Sequence, residues 1–143
     1  MIKDVDALLD RASRQPDLEV QSDYARYVAV RVCGLSEQAV VDIVTVYAST
    51  QSSLTVTSHI EKRASRGGVG SVSQILDLVG TFSKDMRKQL ESELTESEKS
   101  ALGSLRSQRH LIAHGGQSNV SLAQVREYFS EIRSLLTRVA AKF

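Results

Sequence analysis

The chain has 143 residues, 41% of them hydrophobic and 24% charged, a composition that supports one buried core and excludes disorder. A net charge of +1 and a sequence pI of about 7.9 exclude a broadly basic nucleic-acid-binding surface, for which a domain pI above ~9 is usual. Any contact with RNA or DNA has to be local. Residues 1–143 are expected to form a single helical domain.

Cys33 is the only cysteine, so no internal disulfide can form, and its apolar neighbourhood predicts packing rather than reactivity. Met1-Ile2-Lys3-Asp4 turns acidic at once and carries no apolar signal region. Arg31, Glu37 and Asp42 break the longest apolar run, well short of the ~20 residues a membrane span needs. The expected location is the cytoplasm, with no membrane partner.

The elements follow in chain order. A single proline and few aromatics speak against a sandwich or barrel. Val5, Leu8, Leu9 and Ala12 mark a first helix that Gln15-Pro16 ends. Asp17 is placed to cap a long apolar segment from Leu18 to about Ser49, helical by length and lack of alternation. Gly34 is a candidate kink with Ser36 as a restart, so one helix or two remain open. Arg26, Arg31, Glu37 and Asp42 inside this segment either mark its edges or pair with charges on other helices. A shorter helix from Ser53 to Arg66 ends on Lys62-Arg63-Ala64-Ser65-Arg66 and runs into Gly67-Gly68-Val69-Gly70. The Lys-Ser/Thr pair of a Walker loop does not follow, which leaves a flexible connector.

Three sequences have the pattern of a capping box: Ser71-Val72-Ser73-Gln74, Thr95-Glu96-Ser97-Glu98 and Ser121-Leu122-Ala123-Gln124. The first opens a helix with Ile75, Leu76, Leu78, Val79 and Phe82, and Lys84 to Leu94 is its charged continuation or a separate helix. The third, with Val120 and Val125 as a hydrophobic staple, opens a last helix. Its apolar seam is Leu122, Val125, Phe129, Ile132, Leu136 and Val139. The fold class is therefore all-α, a bundle of about five to six helices ending in a helical hairpin across Gly115 to Val120.

The helix opened by Thr95 carries the densest chemistry of the chain: Arg106, Arg109, His110 and His114, closed by Gly115-Gly116. Leu102, Leu105 and Ile112 form an apolar stripe in which Arg109 takes one place. Arg109 thus either snorkels to water or finds a partner on the packing seam. His114 stands at the helix end, where a cation is favoured and a fraying last turn would let it swing towards Arg109; histidine can exchange protons near neutral pH. His110 and His114 have the i, i+4 spacing of a zinc helix, but Leu111 replaces the general-base glutamate and no third ligand is evident. No metal and no cofactor are expected.

Arg109-His110-Leu111-Ile112-Ala113-His114 resembles the R-x4-6-H motif of the HEPN superfamily, here with four residues between arginine and histidine. The likeness extends over nearly the whole chain. Gln15-Pro16-Asp17-Leu18-Glu19-Val20-Gln21-Ser22-Asp23-Tyr24-Ala25-Arg26-Tyr27 and Arg109 through Gly115 are similar to the HEPN subgroup termed RiboL-PSP. His110 departs from the commoner Asn but remains polar. The resemblance implies a metal-independent endoribonuclease that acts as a homodimer, with two motifs in one cleft. It implies RNA as partner, products with 2′,3′-cyclic phosphate and 5′-hydroxyl ends, and service as a toxin or in phage defence or stress, with an antitoxin or operon protein as a further partner. The implied alternative is a non-catalytic module that binds RNA, a nucleotide or a protein. On the catalytic reading His114 is general base or acid, Arg109 holds the scissile phosphate and His110 orients either group. Glu37 is the expected partner of Arg109 by charge, with a purely structural salt bridge equally open. Arg106, Lys62 and Arg63 are expected to line the RNA groove.

Overall fold

In the computed structural model, residues 2–143 are described; Met1, part of the acidic start weighed above, lies outside them. Among the described residues the chain forms seven α-helices and no strand. They are α1 (Ile2–Ser13), α2 (Leu18–Gln51), α3 (Leu54–Gly67), α4 (Val72–Gly80), α5 (Lys84–Glu93), α6 (Glu96–Ala113) and α7 (Leu122–Ala140). The all-α expectation holds, with seven helices in place of five to six. The difference arises where Thr81-Phe82-Ser83 separates α4 from α5: Ser83 caps the new helix by accepting from the Met86 N–H, and Phe82 falls in the turn.

α2 is one continuous helix of 34 residues, about 51 Å at 1.5 Å per residue. Asp17 caps it, its carboxylate accepting from the backbone N–H groups of Glu19 and Val20. Gly34 does not break it, and Ser36 does not restart it; the buried Ser36 hydroxyl donates to the Cys33 carbonyl at 2.7 Å. This serine satisfies itself within the helix, so it has no need to compete as a cap. α2 is the axis of the bundle and packs against α1, α3, α6 and α7. Its buried face is small or branched, with Ala25, Val28, Ala29, Val32, Cys33, Val40 and Val44 all within the core. It is not buried all round, for Tyr27 and Val46 are more than half exposed.

α6 and α7 form the expected hairpin. Val125, Phe129, Ile132, Leu136 and Val139 are buried along the predicted seam, and Leu135 joins them. Val120 and Val125 are both buried, as a staple requires. The boxes at Thr95/Glu98 and Ser121/Gln124 are complete. At Ser71 the hydroxyl caps the Gln74 N–H and also donates to the Gln74 side-chain oxygen.

Candidate functional site

The site is built where α6 crosses α2. Leu102 and Leu105 of α6 are buried against the core, and one turn further the same stripe presents Arg109. Its guanidinium is not left to snorkel: Nη1 donates to Glu37 Oε2 at 2.7 Å and to Cys33 Sγ at 3.8 Å. Cys33 and Glu37 are four apart on α2 and so share the face that meets α6. The Glu37 bond, then the Cys33 contact, raise the pKa of Arg109 further above its ordinary value, which makes it a permanent cation. Burial pushes the Cys33 thiol up, against the lowering effect of Arg109; the charge of Arg106 also reaches this thiol. Both side chains of the ion pair remain partly open to solvent, 43% for Arg109 and 34% for Glu37. Screening at that exposure keeps its worth to stability small.

On its other side Glu37 lies against the glycine connector. A Cβ on Gly70 would fall 2.7 Å from Glu37 Oε1, so any larger residue there would push the Glu37 carboxylate aside. Val69 and Gly70 are buried. The expected flexible connector is instead a docked one, with Gly68 turning the chain at a φ of +74°.

His114 is the C-cap of α6, and the helix end is closed rather than frayed. Gly116 N–H donates to the Leu111 carbonyl at 2.8 Å and Gly115 N–H to that of Ile112 at 3.2 Å, with Gly115 at φ +70°. These are the two bonds of a Schellman motif, and the positive φ explains the glycine. The His114 N–H is fixed to the His110 carbonyl at 3.1 Å. The two imidazole rings lie 4.3 Å apart at 57°. His114 therefore does not swing as a frayed end would. Arg109 turns to α2, and both histidines stand on the exposed surface beside Leu111, itself 38% exposed. The loop beyond is tied back by Ser118, whose hydroxyl donates to Gln108 Oε1 at 2.5 Å, while Arg26 reaches the Ser118 carbonyl at 3.5 Å.

The fold thus brings Arg109 and Glu37 together, and places His110 and His114 on the following turn. Arg106 is exposed on the same helix. Lys62 and Arg63 are exposed near the end of α3, the helix that leads into the Gly70 connector. Sequence reasoning missed Cys33 as a neighbour of Arg109, although its i, i+4 relation to Glu37 was readable. It also missed Glu98. Beyond its capping role this carboxylate is only 1% exposed, accepting from Ser134 at 2.5 Å and Arg138 Nε at 2.8 Å, and so joins α6 to α7.

A family model described as RiboL-PSP-HEPN matches residues 2–143. No curated protein and no solved structure matches the chain significantly. At the level of the superfamily the match supports a nuclease or RNA-related function.

Proposed function

We infer, from the premise that this chain belongs to the RiboL-PSP-HEPN family, that it is a metal-independent endoribonuclease working as a homodimer. The observation that carries this reading is the pairing on α6 of an arginine oriented by Glu37 and a histidine fixed at the helix end. Arg109 is the ligand of the scissile phosphate and offsets the charge that builds there in the transition state. His114, exposed and rigidly capped, takes the proton of the ribose 2′-hydroxyl as that oxygen attacks phosphorus. The equivalent imidazole of a second copy gives a proton to the departing 5′-oxygen. The bond to the 5′-oxygen breaks as the 2′-oxygen bond forms, which leaves a 2′,3′-cyclic phosphate and a 5′-hydroxyl. His110, in ring contact with His114, sets its orientation, and Arg106, Lys62 and Arg63 hold the RNA backbone. A role as a toxin or defence effector, with an antitoxin or operon protein as partner, accords with this chemistry.

One observation favours the second reading, a module that binds without cutting: the guanidinium of Arg109 is already engaged by Glu37 and Cys33. The two readings part in one experiment. Labelled RNA is incubated in EDTA with the parent protein, His114→Ala and Arg109→Ala, and the ends of any fragments are identified. Cutting by the parent alone, with cyclic-phosphate ends, is the expected result; identical behaviour of all three would leave only the binding module.

A further inference from the structure

Where α1, α2 and α6 meet, an open cavity of about 310 Å³ is lined by Val5, Val30, Arg31, Gly34, Leu35 and Arg109. Two guanidiniums share it, and no carboxylate is part of its wall. Arg109 has Glu37 to its other side, but among the described residues no acceptor pairs with Arg31. Arg26, Arg87, Arg133 and Arg138 have carboxylate partners in Asp23, Asp77, Asp6 and Glu98; what sets Arg31 apart from the other arginines without an ion pair is its place beside Arg109 in one cavity.

Gly34 points the same way. It sits in mid-helix, where only proline is less favourable. Its φ is not positive, so the backbone does not require it, and a Cβ there would meet nothing within 4 Å. Neither geometry nor packing within the chain explains a glycine at this position. What it provides is depth beneath the two arginines.

We propose that this cavity is an RNA phosphate subsite beside the scissile position, with Arg31 as the residue that binds the phosphate and Gly34 as the gap that admits it. The identity of the occupant rests on the ribonuclease reading, since successive phosphates of one strand follow each other past Arg109. Val5, Val30 and Leu35 give the ribose an apolar wall.

The test measures binding, not cutting. A fluorescent single-stranded RNA is titrated with the full chain carrying His114→Ala, over a series of salt concentrations. Adding Arg31→Ala weakens binding about tenfold, as loss of a charge-assisted contact does, and lowers the salt slope by about 0.7 for the one phosphate released. Gly34→Leu, which fills the cavity, gives a comparable loss without lowering the melting temperature. Arg31 is exposed, so its variant folds whatever happens to Gly34→Leu. Unchanged affinity and slope in Arg31→Ala overturn the subsite even if the parent cuts RNA. Arg31-dependent binding by a protein that never cuts supports the subsite and overturns only the ribonuclease reading. Should Gly34→Leu turn a dimer into a monomer while Arg31→Ala binds normally, the cavity seats a second copy and the proposal falls. Absence of any RNA binding by the parent overturns both.

Discussion

At the scale of single residues, Gly115 decides how His114 is presented. Its φ of +70° lies where a side chain is strained, and its N–H closes the end of α6 onto Ile112. Gly115→Ala is therefore expected to lose about 1 kcal/mol of stability and, on the ribonuclease reading, to depress RNA cutting because the cap residue is displaced. Gly103 supplies the comparison. It is an exposed interior residue of α6 whose added Cβ would meet nothing within 4 Å, so Gly103→Ala should gain about 1 kcal/mol from helix propensity alone. Thermal melts of the two variants beside the parent, with RNA cleavage measured in parallel, check both signs. Equal shifts in one direction would contradict the account of Gly115. Here the sequence was a good guide: a double glycine after a periodic run marks a helix end on chemistry local to the residues. The exact posture of His114 was not readable, since the choice between a frayed end and a closed motif depends on bonds to Leu111 and Ile112.

At the scale of elements, the α6–α7 hairpin hangs on Glu98. The residue was legible as the third helical position of a capping box, and its bond to the Thr95 N–H at 2.8 Å bears that out. Its contacts with Ser134 and Arg138, far along the chain, were not, because nothing in local spacing announces which face of α7 returns to α6. Burial pushes the Glu98 carboxyl up, but the bonds from Ser134, Arg138 and Thr95 outweigh it and hold its pKa below the ordinary 4.5. A carboxyl whose folded pKa is depressed stabilises the fold above its unfolded value, and this contribution is lost as pH falls through the folded value. Glu98→Ala is expected to lose about 2 kcal/mol at neutral pH, towards the low end because the partly exposed Arg138 can turn to water. Urea midpoints of parent and variant should differ fully at pH 7 and begin to converge only as pH falls below about 4.5. A gap that is constant across this range would assign the loss to packing instead of charge. The same division between local and distant signals explains α2. Its Asp17 cap and length were readable, whereas its continuity through Gly34 follows from packing against four other helices.

At the scale of the whole molecule, a net charge of +1 gives no general attraction for RNA, so the proposed function needs its cations concentrated at one place and doubled by a second copy. Leu111 lies between the two histidines in sequence and is 38% exposed on the surface they share. On the dimeric reading, Leu111→Glu should shift the mass measured by light scattering from twice 15.7 kDa towards a single chain, and abolish cutting. Its melting temperature at low concentration should change little, because no core residue is touched. A dimer that survives Leu111→Glu with full cleavage would place the seam on another face. The family match over residues 2–143 was anticipated by two stretches of sequence at opposite ends of the chain. The cavity beside Arg109 was not, since its walls come from α1, α2 and α6 and exist only once these helices meet.

The closed end of α6 has a consequence for association itself. Because Gly115, Gly116 and the His114 amide are already bonded to the preceding turn, the backbone of the histidine end has little freedom to surrender when a ligand arrives. Ordering losses of this kind commonly subtract from affinity. Here the backbone share was met when the helix formed, so the entropy of binding should be governed by displaced water and counterions, by the two imidazole side chains and by the ligand's own ordering.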